Sequence, residues 1–110
     1  MNWFGGNKNS ISMQEAYEIM DKKDQDFVLL DVRTPAEFKN ARLEGAKLIP
    51  VDEISARAKL ELPNKDILIL VYCHSGARAA SAVKQLTSMG YTNVFNFGGI
   101  VNWPYKIIRD

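Results

Sequence analysis

The order of apolar and amphipathic segments in this chain predicts an α/β domain with a largely parallel central sheet. Three observations carry that reading. DFVLLDV (26–32) and ILILVYC (67–73) are continuously apolar over the length of a strand, as expected of strands covered on both faces. Between and around them lie stretches with helical spacing and recognisable start and stop signals. No internal repeat, low-complexity tract or linker interrupts the body of the 110 residues, so residues 11–110 are expected to form a single domain large enough for its own core.

Taken in order, MNWFGGNKNS (1–10) is rich in Gly, Asn and Lys and is expected to be a flexible lead-in. SMQEAYEIMDKK follows as a helix. Ser12 with Glu15 three residues on makes a capping box, and Met13, Ala16, Tyr17 and Met20 recur on one face. After the first strand, Thr34, Pro35 and Glu37 supply an N-cap, a proline at the first helical position and the capping-box carboxylate of a short helix ending near Asn40. AKLIP (46–50) reads as a strand closed by Pro50, and VDEISARAKLEL as a helix ended by Pro63-Asn64. ILILVYC is the strongest strand signal. GARAASAVKQLTSMG then spaces Ala80, Val83, Leu86 and Met89 along one helical stripe and stops at Gly90. NVFNF (93–97) reads as a further strand, Gly98-Gly99 as a tight turn, and IVNWPYKII as a short last helix broken near Pro104.

Composition narrows the function classes. A formal net charge of +1 argues against a strongly basic nucleic-acid surface. The longest apolar run, Ile67 to Cys73, falls well short of the roughly 20 residues of a membrane span. The opening residues lack the basic start and apolar stretch of a secretory signal. The single cysteine cannot form an internal disulfide, and a reducing, cytoplasmic setting is the simplest expectation.

That cysteine and the only histidine sit together in VYCHSGARAA (71–80). In parallel sheets ligands gather at the carboxyl ends of strands, and Cys73 stands at the end of what is expected to be the most central one. If a helix begins near Ala77, its unpaired amides point back at the sulfur. Gly76 gives the loop access to the left-handed conformation that a concave nest of amides requires. Such a cup favours a thiolate. Arg78 adds a fixed positive charge with paired donors suited to an oxyanion. Together these residue types fit attack on a sulfur or phosphorus centre bearing negative oxygens. The plainer possibility is that Cys73 is a small apolar residue at a strand end. His74 is more often a solvent-facing loop residue than a base. One Cys and one His cannot complete a zinc site, and no phosphate loop of the GxxxxGK[ST] kind is present.

Three blocks give these features a family. LLDVRTPAEF (29–38), GAKLIP (45–50) and YCHSGARAASAVKQLTSMGYTNVFNFGGIVNW (72–103) resemble, in order and spacing, the signatures of small single-domain rhodanese-like (thiosulfate sulfurtransferase) proteins. The resemblance implies an open, mostly parallel sheet flanked by helices on both faces. It implies Cys73 as nucleophile at the base of a cradle formed by residues 73–78. The cysteine would take a sulfane sulfur from a small anionic donor such as thiosulfate, and pass it to cyanide, a thiol or a protein acceptor, without cofactor or metal. His74, Ser75, Gly76, Ala77 and Arg78 are the implied substrate-binding residues, chiefly through backbone N–H groups. Asp31, Arg33 and Glu37 look catalytic but are assigned to structural support, with Asp31 and Glu37 both able to pair with Arg33. Trp103 and Tyr105 are read as core or edge aromatics.

One departure stands out: EFKNARLEGA places Ala41, Arg42 and Leu43 where relatives usually carry Gly-His-Ile. That histidine is usually structural, so activity is not expected to suffer. The main rival is a dual-specificity cysteine phosphatase of the same fold, or an arsenate-handling variant of it. Those loops hold five residues between Cys and Arg, whereas here only His74, Ser75, Gly76 and Ala77 intervene. A binding module without turnover is the other alternative, opposed by the presence of Cys73, Gly76 and Arg78. A monomer with no nucleic-acid or membrane partner is the simplest expectation.

Overall fold

The structure, a computed structural model, describes residues 9–110. Residues 1–8 of the expected lead-in lie outside the described residues. Helix α1 (Met13–Lys22) starts at the anticipated capping box: Ser12 Oγ accepts from the Glu15 amide at 3.0 Å, and Glu15 Oε1 accepts from the Ser12 amide at 3.0 Å. Its buried residues are Ala16 and Ile19, with Met13 and Met20 half-buried. Tyr17, expected on the buried stripe, is 36% exposed. Strand β1 (Phe27–Asp31) follows, then α2 (Pro35–Asn40), whose Thr34–Glu37 capping box is also present in both halves.

Two-residue strands β2 (Ala41–Arg42) and β3 (Lys47–Leu48) lead through a 3-10 turn at Val51–Glu53 into α3 (Ile54–Glu61). Strand β4 (Leu68–Cys73) is buried at every position. It is followed by α4 (Ala77–Ser88), β5 (Val94–Gly99) and, near the C-terminus, β6 (Ile108–Arg109).

The main sheet is all parallel in the order β3-β1-β4-β5. β4 is therefore interior, as expected. Its alternation separates two apolar layers. Ile69, Val71 and Cys73 face α3 and α4, packing with Leu30, Ile54, Ala82 and Leu86. Leu68, Leu70 and Tyr72 face α1 and the C-terminal segment, packing with Ile19, Phe97 and Trp103. Covered on both sides, β4 can be uniformly apolar without exposing any of it.

Four expectations are corrected. Ala80 is exposed, and the buried face of α4 is Ala79, Ala82, Val83 and Leu86, one residue off the expected stripe at its start. Gly98 and Gly99 belong to β5 rather than to a turn. The register slips there from Val71↔Asn96 to Cys73↔Gly99, so β5 carries one extra residue against β4, a bulge beside the end of the central strand. Residues 100–108 form no helix beyond a 3-10 turn at Ile100–Asn102, and β6 pairs antiparallel with β2. Pro104, which has no amide to donate, accounts for the interruption. Finally, Asn9 and Ser10 are not loose: Ser10 bridges Asn96 in parallel, the Asn96 amide donates to Asn9 O at 2.8 Å, and the Ile11 amide donates to Asn96 O at 3.1 Å. Among the described residues, no helix is long and apolar enough to cross a membrane.

Candidate active site

Cys73 ends β4 with only 1% of its surface exposed. The chain must turn at once into α4, and it does so through three residues. Gly76 takes φ +113°, ψ −18°, the left-handed conformation anticipated for it, and serves as the N-terminal boundary of α4. Gly76 has no side chain with which to cap this helix. The sulfur does so instead: Sγ accepts from the Gly76 amide at 2.9 Å and from the Ala79 amide at 3.4 Å. Helix-start amides that would otherwise lack a partner are thus turned onto one polarisable atom. Both contacts lie at the positive end of the helix dipole.

His74 and Ser75 are exposed at the rim, and what fixes them is backbone. The Val101 amide donates to His74 O at 3.1 Å. Gly99 lies so close that a Cβ there would overlap the His74 carbonyl and the Ser75 Cα. Glycine is needed at this position for close approach, since its own backbone is extended. The Gly76 carbonyl accepts from Asn96 Nδ2 at 3.2 Å, and Asn96 Oδ1 accepts from the Gly98 amide at 2.8 Å. Sequence reasoning missed Asn96, Gly99 and Val101. The available signal was a polar residue within NVFNF, at a position where strand alternation calls for an apolar side chain facing α4.

Arg78 is engaged differently from expectation. Its Nη1 and Nη2 donate to Glu37 Oε1 at 2.7 Å and Oε2 at 2.9 Å, a bidentate pair joining the start of α4 to the start of α2. Glu37 Oε1 also accepts from the amide and hydroxyl of Thr34, each at 3.0 Å. The Arg78 pairing and, behind it, the Thr34 contacts push the Glu37 carboxyl down to about 2, although burial opposes this. Arg33, expected to share Glu37 with Asp31, pairs with Asp31 alone. Its Nη2 lies 2.7 Å from Asp31 Oδ2, its Nε and backbone amide add further bonds to that carboxylate, and Nη2 also donates to Ala41 O. Tyr72 packs against this buried pair, with the Arg33 guanidinium 5.7 Å from its ring centre. Burial, with Asp31 adding to it, pushes the Tyr72 phenol up.

The residues in place of Gly-His-Ile are accommodated structurally. Ala41 and Leu43 are buried, and the Leu43 amide donates to the Tyr72 hydroxyl at 3.1 Å. Arg42 donates to the Phe38 and Lys39 carbonyls at the end of α2 and reaches Asp110 at 3.3 Å. It closes a helix terminus and does not line the Cys73 loop. Trp103 and Tyr105 belong to the aromatic packing on the α1 side, Trp103 against Phe97 and Tyr105 stacked on Tyr17. A cleft of about 510 Å³ on that same side is lined by Tyr17, Leu29, Leu43 and Trp103 and includes no residue of the Cys73 loop. Among the described residues, no three His, Cys, Asp or Glu side chains gather as a metal site.

The fold and the site together define a class: small parallel α/β domains with a cysteine at the carboxyl end of the central strand, cradled by a glycine-bearing loop. The rhodanese-like domain family matches residues 12–105, and the chain belongs to that family. It is 37% identical over 71 residues to the thiosulfate sulfurtransferase PspE of Escherichia coli K12, covering 64% of this chain and 68% of the relative. A protein of Allochromatium vinosum named sulfurtransferase is 40% identical over 80 residues, covering 72% of this chain and 73% of the relative. Among solved structures, a rhodanese-like domain protein from Staphylococcus aureus matches with TM-score 0.79 at 28% identity, over 94% of this chain and 99% of that one.

Proposed function

We propose that the protein is a sulfurtransferase in which Cys73 carries a sulfane sulfur between an anionic donor, thiosulfate being the simplest, and a thiol or protein acceptor. The Cys73 thiolate attacks the outer sulfur of thiosulfate. The sulfur–sulfur bond breaks, sulfite leaves with the electron pair, and Cys73 holds a persulfide. An acceptor thiolate then attacks the terminal sulfur, takes it as its own persulfide and returns the Cys73 thiolate. Electrons balance without a cofactor, and the thiolate is the attacking form in both half-reactions. A reducing compartment suits this chemistry, because the lone thiol must stay free.

One observation carries the reading: the sulfur is seated at the start of α4 and receives two of its amides. The family membership and the relatives named as sulfurtransferases support it. Phosphoryl transfer is less well served. The four-residue spacing is short, and both arms of Arg78 are already committed to Glu37 instead of standing free to clasp a phosphoryl group. In this reading Arg78 fixes the loop against α2 and the backbone amides receive the donor.

Intact mass after thiosulfate treatment tests the proposal. The wild type is expected to gain about 32 Da on Cys73, one sulfur atom, and Cys73→Ser to gain nothing and form no thiocyanate from cyanide. An unmodified wild type that cleaves an aryl phosphate would replace this reading with the phosphatase.

A further inference from the structure

We propose that Asn96 is a positioning residue for sulfur transfer: acting through Gly76, it aims the loop amides that receive the donor anion. The proposal rests on the sulfurtransferase reading, and its test separates the two.

Asn96 stands at the last regular pairing of β5 with β4, opposite Val71, immediately before the bulge. Val94, two residues earlier on the same face, is buried and apolar, yet Asn96 places an amide on that side of the sheet, which α4 covers. Both ends of that amide are used. Nδ2 donates to the Gly76 carbonyl and Oδ1 accepts from the Gly98 amide, and only this orientation satisfies both partners, since a flipped amide would set oxygen against oxygen.

The consequence for the loop follows from planarity. In a trans peptide the carbonyl and the following N–H point in opposite directions, and the described residues contain no cis bond. Drawing the Gly76 carbonyl towards β5 therefore turns the Ala77 amide away from β5. The Val101 amide does the same to the His74 carbonyl, and so to the Ser75 amide. Between these two anchored peptides, the Gly76 amide already points at Sγ. The carbonyls are held back by β5, the turn after it and the first turn of α4, and the N–H groups of residues 75–77 are left to converge where a donor anion or a persulfide sulfur would lie. The Gly76 carbonyl is also held by the Ala80 amide of α4 at 3.0 Å, so of the contacts that fix these carbonyls only that of Asn96 comes from a side chain. It alone can be removed without altering the main chain, because its own backbone bonds to Asn9 and Ile11 do not depend on it.

Two variants and two alkylating agents test this. Asn96→Ala removes both contacts. Asn96→Asp keeps an acceptor for the Gly98 amide but sets a carboxylate oxygen against the Gly76 carbonyl. Both are expected to lose about 10- to 100-fold in kcat/KM for thiosulfate, the scale of a misdirected donor group. Both are also expected to lose about tenfold in the rate of Cys73 alkylation by iodoacetate, an anion, while alkylation by neutral iodoacetamide changes by less than about threefold. A merely structural role would shift the two alkylation rates together, and that outcome would overturn the proposal. So would an Asn96→Asp variant that behaves like the wild type, since the Gly76 contact would then be idle. Loss of cooperative unfolding in both variants would also overturn it, by making Asn96 a support of β5 and nothing more. If the wild type takes no sulfur from thiosulfate but the iodoacetate preference still depends on Asn96, the transferase reading falls and the positioning role stands.

Discussion

Two neighbouring turns of this molecule do the same geometric job with opposite chemistry. β1 and β4 lie side by side, and each feeds a helix from its carboxyl end. The first turn, residues 31–37, is chemically saturated. Asp31 and Arg33 consume one another in burial, Thr34 caps α2, and Glu37 answers with the reciprocal bond. The second, residues 73–77, has a left-handed glycine at its cap position and leaves its amides to a sulfur atom. The turn rich in charge is closed on itself, and the turn poor in side chains directs its backbone donors at one sulfur atom.

Swapping features between the turns sharpens this contrast. The largest effect is expected from Gly99→Ala, whose new Cβ would strike the His74–Ser75 backbone. The loop must then move away from β5, with a stability loss of about 1–3 kcal/mol and near-complete loss of sulfur transfer, read by thermal melting and a thiocyanate assay. Next comes Arg78→Ala. With its guanidinium already held by Glu37, the donor and acceptor half-reactions are expected to fall together, by about tenfold each. A selective loss with thiosulfate would instead give Arg78 a direct part in donor binding. Thr34→Ala belongs to the saturated turn. It is expected to cost about 1 kcal/mol, seen in urea unfolding, while leaving the mass gain on Cys73 intact.

The smallest effect concerns acid. The Glu37 carboxyl lies at about 2 in the folded protein against an ordinary 4.5, so its contribution to stability is fully present above about 4.5 and is lost as the pH falls from there towards 2. Glu37→Gln is expected to flatten that part of the stability–pH curve, and an unchanged curve would mean that the Arg78 pair contributes nothing.

What could be read from the chain follows the same division. Both long strands, the two capping boxes and the left-handed Gly76 were legible because each is written within a few consecutive residues. The partner of Arg78 was not. Glu37 lies 41 positions away, and Arg33, only four residues from Glu37, was the nearer candidate on paper. Strands β2 and β6 are too short to show any period, and their pairing joins residues 41–42 to 108–109. NFGG looked like a strand meeting a turn because glycine signals both turns and bulges. Only the register against β4 separates them. Around Cys73, its place at the end of β4, the left-handed Gly76 and the start of α4 were legible, whereas Asn96, Gly99 and Val101 come from β5 and the turn after it, whose nearness to the loop is set by tertiary packing.

The short run at Asn9–Ile11 has a bearing on solubility. It occupies the outer rim of β5, where an open row of peptide groups would otherwise invite a strand from another molecule. Stripped of those three residues, the sheet would present a fresh border for intermolecular zippering, and self-association would be the first symptom of the loss.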